Sequence, residues 1–284
     1  MRHIVNSASN SLHLLGAKWS RSVHAFGEAA DRVGRGYRYY SSSMALPFPH
    51  PEALLPPGFA MSRATPEDAP GMTDVYMHAF SATPDFTYWW SSPSIMHAWN
   101  LDRIRTRFAD PGVQQFKIVD EANGKIVAFA KWDVPATVQG LREGFKVYDD
   151  AVGSGMEGGA GGEVEKGGLK KPDGVDQELF DGLFGGLKKM QEKWRVSEKL
   201  ALSIICTEPS YHGRGIGAAL IQSVLAVADA EKVTAYLEAM PLAVPLYKRQ
   251  GFVPVDTLAF DVSKVGRTEN PVLTIMVREP KSAA

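Results

Sequence analysis

Apolar residues along this chain recur at two periods, and the switching between them lays out a mixed α/β domain. From Phe59 to Ala64 apolar and polar positions alternate, as in a half-buried strand. Thr65 then supplies a helix cap, with Pro66 at the first helical position and Asp68 in the first turn. Ala69, Met72, Val75, Met77, Ala79 and Phe80 follow at helical spacing. An aromatic run, FTYWW (Phe86 to Trp90), leads to a second helix over about Ile95 to Phe108. Phe116 to Val119 and Ile126 to Trp132 are apolar runs separated by DEANGK, whose Asn123-Gly124 is a hairpin signal, so they are expected to pair antiparallel.

Residues 136–174 break the pattern: glycines crowd a segment with few apolar side chains, which cannot offset its own ordering entropy. The expectation there is an unstructured insertion, with a substrate lid as the alternative. Helical periodicity returns over Val175 to Arg195, with Leu179, Leu183, Leu187 and Met190 on one face. A strand over Lys199 to Thr207 runs into a glycine loop and a helix from Ile216 to Ala230. Another strand (Val233 to Ala239), a short helix (Val244 to Gln250) and final strands over Phe252 to Val262 and Val272 to Arg278 complete the chain.

Before this domain, residues 1–43 are arginine-rich and acid-poor, and Leu12, Leu15, Trp19, Val23, Phe26, Ala30 and Val33 form a helical stripe. That composition resembles a mitochondrial transit peptide, and Arg38 before Tyr40-Ser41 resembles a matrix-protease site. The alternative is a tail, or an upstream extension with Met44 as the working start. A matrix or cytoplasmic location is expected accordingly. Residues 44–58 form a proline-rich lead-in. The formal net charge of -1 gives no electrostatic case for nucleic acid. One cysteine, Cys206, excludes an internal disulfide and argues against a zinc site. No apolar run has the roughly 20 residues that span a bilayer. The sequence does not settle the oligomeric state.

Candidate chemistry concentrates in PSYHGRGIGAAL, Pro209 to Leu220, where Gly213, Gly215 and Gly217 alternate between strand and helix. The first helical N–H groups lack intrahelical partners and the helix dipole adds positive charge, so this is an anion site suited to a phosphate-bearing cofactor. Gly213, Gly215 and Ala218 also fit the dinucleotide fingerprint, with Glu238 placed as a ribose acid, which would make the protein a nucleotide-dependent oxidoreductase. Against that, too little chain follows Glu238 for a second βαβαβ half, and the upstream hairpin implies antiparallel pairing. The Gly-Lys-Ser/Thr ending of a P-loop is missing.

Together the motifs resemble the GNAT (GCN5-related N-acetyltransferase) superfamily. Its Gln/Arg-x-x-Gly-x-Gly/Ala signature is similar to His212-Gly213-Arg214-Gly215-Ile216-Gly217, with Pro209 ahead of it and histidine standing where Gln or Arg is usual. The family's Tyr-x-x-x-Gly-Phe is matched by Tyr247 to Phe252, and the element order agrees. The resemblance implies an α+β fold over 59–280: a mixed, mostly antiparallel sheet in three α/β/α layers. It further implies acetyl-CoA as co-substrate, no metal, and direct acetyl transfer to an amine of a small molecule or peptide. A non-catalytic acyl-CoA-binding module is the alternative. On this resemblance the backbone of Ile205, Cys206 and Thr207 pairs with the pantetheine arm. The amides of Gly213, Arg214, Gly215, Ile216 and Gly217 hold the pyrophosphate, with His212 beside them. A strand N–H polarises the thioester. Arg214, and less directly Lys248 or Arg249, meets a CoA phosphate. Tyr247 is the expected general acid. Glu208 and Glu238, at strand ends, are the candidate bases. Cys206 is expected to be a buried small residue. Phe86, Tyr88, Trp89, Trp90 and Trp99 are either acceptor pocket or core.

Overall fold

The computed structural model describes residues 55–142, 144–149 and 170–281. The basic N-terminal segment lies outside the described residues. The strands are β1 (Phe59–Arg63), β2 (Val113–Asp120), β3 (Lys125–Asp133), β4 (Leu200–Thr207), β5 (Ala235–Ala239), β6 (Val253–Ala259) and β7 (Val272–Arg278). The helices are α1 (Ala69–Ser81), α2 (Pro93–Thr106), α3 (Gln177–Lys193), α4 (Ile216–Glu231) and α5 (Val244–Arg249). A single seven-stranded sheet runs β1-β2-β3-β4-β5-β7-β6. Every neighbouring pair is antiparallel except β4–β5. This is the expected α+β fold in three layers, and its one parallel pair removes the doubly wound dinucleotide alternative.

Local chemistry explains the boundaries. Thr65 and Asp68 form a capping box ahead of α1. The Asp176 carboxylate accepts from the Glu178 and Leu179 amides at the start of α3. Between β2 and β3, Asp120 accepts from the Ala122 amide and the Asn123 side chain, and Gly124 takes φ +71°.

The sheet separates two apolar layers. One contains Phe116, Ala130, Trp132, Leu202 and Leu237 with Ile216, Leu220, Val224 and Val227 of α4. The other gathers Met72, Val75, Met96, Ile104, Phe129, Leu179, Phe180 and Cys206 beneath α1, α2 and the start of α3. A smaller cluster of Ala201, Tyr236 and Ile275 lies under the end of α3, with Met190 and Trp194 against it.

The glycine-rich segment departs from expectation at its start. Val138 and Leu141 are fully buried in the α4-side core. The Gln139 and Gly140 amides donate to the Glu231 carboxylate at the end of α4. Burial of those two apolar side chains offsets ordering that glycine content alone did not anticipate. Residues 150–169, the most glycine-rich part of the expected insertion, lie outside the described residues.

Candidate active site

The parallel ladder between β4 and β5 is short. It pairs Leu200 with Ala235, Ala201 with Tyr236 and Leu202 with Leu237, and stops there. Beyond it β4 continues to Thr207, bonded only on its β3 side, where Ile204, Ile205, Cys206 and Thr207 face Lys131, Ala130, Phe129 and Ala128. The strands therefore part towards their C-terminal ends. The β5-facing backbone edge of Ser203 to Thr207 is left open to an extended chain, as in strand addition.

A bulge makes the parting abrupt. The β3–β4 register slips between Lys131 and Trp132, where Ile204 and Leu202 are the successive partners and Ser203 is the extra residue. A bulge turns the strand over, and the core contacts follow. Leu202 and Ile205 pack on the α4 side, whereas Ile204 and Cys206 pack on the α1 side. The Ser203 hydroxyl donates to Asp133 of β3.

After Thr207 the chain makes a single 3₁₀ turn (Pro209–Tyr211) and enters the glycine loop. Gly213 and Gly215 take φ +77° and +81°, which L side chains adopt only with strain. The first bond of α4 runs from the Ala219 amide to the Gly215 carbonyl, so the amides of residues 216–218 precede any intrahelical partner. A Cβ on Gly217 would lie 3.7 Å from Leu246 and 3.8 Å from Thr207 Oγ1. The start of α4, the end of β4 and α5 thus converge beside the parted strands. The loop is held by the Tyr211 hydroxyl, which donates to Asp120 at 2.8 Å. His212 Nε2 lies 3.0 Å from the Thr207 carbonyl. Arg214 is exposed, stacks its guanidinium 4.7 Å from the Tyr211 ring centre and bonds the Ser210 carbonyl. Lys248 and Arg249 are exposed at the end of α5.

Tyr247 is buried on the α4 side, edge-on to Phe252 with ring centres 6.0 Å apart. Burial, and secondarily the nearby Cys206, pushes its phenol above the ordinary value, so it keeps its proton at neutral pH. Cys206 is buried on the opposite side, and burial raises its thiol as well. That makes it a small core residue and a poor nucleophile.

The candidate bases differ in setting. Glu208 faces α1, its carboxylate 2.8 Å from His78 Nδ1. Glu238 lies past the last β4–β5 pair and accepts from the Tyr236 hydroxyl at 2.9 Å and Gln191 at 3.3 Å. Burial raises its carboxyl above the usual range, and these hydrogen bonds only partly offset that.

The aromatic run resolves into core. Trp89 is buried and meets Trp90, Trp99, Phe180 and Phe184 edge-on. Phe86 is buried in the same cluster, with Tyr88 packed against it. The face of Trp99 is covered by the protein's own Arg103, 4.1 Å from its ring centre. These rings join α1, α2 and α3.

Sequence reasoning passed over the polar residues between the two clusters on this side. Lys131, Asp133 and Ser203 line the sheet there, with Arg103 and Arg107 arriving from the end of α2. One signal was available: Lys131 interrupts an otherwise apolar run in a central strand. The described residues also contain a separate small cavity of about 50 Å³ lined by Arg63, Phe108, Phe145 and Tyr148, none of which belongs to the parted strands.

A sheet parted beside a glycine-turned helix start, with a buried phenol nearby, is the layout that the GNAT resemblance implies. Residues 192–261 match the family model described as Acetyltransferase (GNAT) domain. The match runs from the end of α3 through the glycine loop to β6 and includes Tyr247. No curated protein matches the chain. Among solved structures, "histone acetyltransferase HPA2 and related acetyltransferase" from Corynebacterium glutamicum is 22% identical, with 80% of this chain and 99% of that one covered and a TM-score of 0.48. The ribosomal-protein-S18-alanine N-acetyltransferase of Escherichia coli is 16% identical, covering 80% and 96%, with a TM-score of 0.45. The PaiA N-acetyltransferase of Thermoplasma acidophilum, in complex with coenzyme A, is 12% identical, covering 78% and 98%, with a TM-score of 0.42.

Proposed function

We propose that this protein transfers the acetyl group of acetyl-CoA to an amine of a small molecule or peptide. The observation that carries this is the parting of β4 from β5 beside the glycine loop. An open strand edge next to free helix amides suits a molecule that joins an amide-bearing arm to a pyrophosphate. Glycine-loop amides would hold the pyrophosphate, Arg214 would meet an outer phosphate, and the β4 edge would bond the arm. Acetyl-CoA would supply a thioester and a thiolate leaving group. The chain's own contribution is largely positioning, which can account for several kcal/mol of the barrier.

Proton handling divides between the two faces of the sheet. Tyr247, held protonated by burial on the α4 side, would donate to the departing sulfur. Glu238, on the α3 side and raised by its setting, would accept the proton that the attacking amine sheds. Its raised pKa brings it closer to neutral pH, where a base works best.

The test is CoA thiol release with an amine panel, in wild type and Tyr247→Phe, beside calorimetric titration with acetyl-CoA. Turnover that falls about 100-fold in the variant, with acetyl-CoA affinity kept, is the expected outcome. Binding of acetyl-CoA without turnover of any amine would make the protein a binding module. Undiminished turnover in Tyr247→Phe would remove the phenol from the acid role.

A further inference from the structure

The apolar layer on the α1 and α3 side of the sheet is interrupted at the parted strands. To one side lies the large cluster around Phe129 and Cys206, to the other the small cluster around Tyr236 and Ile275. Between them Lys131 and Asp133 point from β3, Ser203 from the bulge and Glu238 from β5, with Arg103 entering from α2 and Arg107 from the 3₁₀ turn after it. Neither arginine is exposed and neither is closed off from solvent, and the Lys131 side chain keeps 13% of its surface open. The three cations are largely surrounded by protein while the Asp133 side chain beside them keeps 40% of its surface open, so together they line a recess that opens to solvent at Asp133.

The charges in this recess do not cancel. Lys131 is paired with Asp133 at 2.6 Å. Arg103 lies over Trp99 and donates to Asn100 and Tyr76, while its Nε is buried without a partner. The Arg107 guanidinium has no hydrogen bond or ion pair to any described residue. Burial, and then the neighbouring Arg103, pulls it down to about 9, and Asp133 only partly offsets this. A guanidinium stays charged at neutral pH, so the depression marks a desolvation cost that an anion would relieve. Uncompensated cations are rarely kept inside a fold without a partner.

We propose that the acceptor is a small amine bearing an anionic group, with that group seated on Arg107 in the recess and the amine turned towards Glu238 and the parted strands. This inference rests on the acetyl-transfer reading and adds the charge class of its substrate. The planar fork of an unpaired arginine matches a carboxylate or a phosphonate. Lys131 and Arg103 add long-range attraction. Asp133 and Glu238 give the ammonium end of the same molecule a complementary place, so one short zwitterion can satisfy both ends.

The probes are ω-amino acids from glycine to 6-aminohexanoate, each beside its carboxamide and its phosphonate. CoA release is measured in wild type, Arg107→Met and Arg107→Lys. The expected result is a kcat/KM at least roughly 10-fold higher for a carboxylate or phosphonate amine than for its carboxamide, the cost of leaving one charged partner unpaired. That preference shrinks to within about 2-fold in Arg107→Met and is partly kept in Arg107→Lys, with the KM for acetyl-CoA unmoved. Comparing the two anions tells which headgroup fits. Equal use of the carboxamide, or a preference that survives Arg107→Met, would overturn the inference. If no amine turns over, calorimetry of the carboxylate and carboxamide probes on acetyl-CoA-saturated protein still decides it. Selective binding of the carboxylate, lost in Arg107→Met, upholds the anion site while the transfer reading fails. Absence of selective binding rejects the site.

Discussion

On the face of the sheet covered by α4, apolar side chains run without a break from Met61 through Trp132 and Leu220 to Phe252. On the face covered by α1, α2 and α3, they stop on either side of a strip holding Lys131, Asp133, Ser203 and Glu238. Both faces belong to one sheet and are read from alternate residues of the same strands. The difference begins at Ser203, where the bulge turns β4 over and the β5 partner leaves. The first face is built for stability. The second gives up apolar continuity and keeps partly solvated charges, a cost that folds carry at binding sites. The parted strands connect the two. Tyr247 approaches from the continuous face and Glu238 from the interrupted one.

Substitutions on the two faces should therefore move stability in opposite directions. Leu220→Ala, at a fully buried α4 position, should cost about 3 kcal/mol in urea unfolding, from lost transfer energy and the cavity left behind. Arg107→Met, in the strip, should instead raise stability by about 1 kcal/mol, because the change removes a desolvated and unpaired charge. A destabilised Arg107→Met protein would mean that the recess is a structural element and would erase the contrast between the faces.

A smaller effect should appear as a pH dependence. The Glu238 carboxyl titrates above its ordinary value in the folded chain, with burial as the main cause. Folding therefore favours its neutral form. That contribution is complete below the unfolded value of about 4.5 and is lost as pH rises through the higher folded value. Wild type should lose melting temperature relative to Glu238→Gln across that interval. Parallel melting curves for the two proteins would show that Glu238 is solvated like a surface acid.

Much of the fold was legible in the sequence because its signals are local. Alternation gave β1, the Asn123-Gly124 turn gave the β2–β3 hairpin, and the run from Leu200 to Thr207 gave β4. The glycine loop was equally plain, since positive φ at Gly213 and Gly215 demands glycine. Two features were not legible. Val138 and Leu141 looked like part of a glycine-rich insertion, because two apolar residues make no period, and only the docked chain shows what they fill. The cationic recess draws Arg103 from α2, Arg107 from the 3₁₀ turn that follows it and Lys131 from β3, and no spacing along the chain links these to one another. The aromatic run Phe86 to Trp90 fits either a ligand pocket or core by composition, and the packing decides it: its rings join three helices.

In the proposed function an acetyl-CoA arm lies along the open edge of β4 with its pyrophosphate on the glycine loop. Amide hydrogen exchange with and without acetyl-CoA tests this most directly, since bonded amides exchange more slowly. Exchange should slow at Ser203 to Thr207 and Gly213 to Ala218, with Trp132 and its β3 neighbours unchanged. Saturating acetyl-CoA that leaves both of those stretches as fast as in the free protein would contradict it.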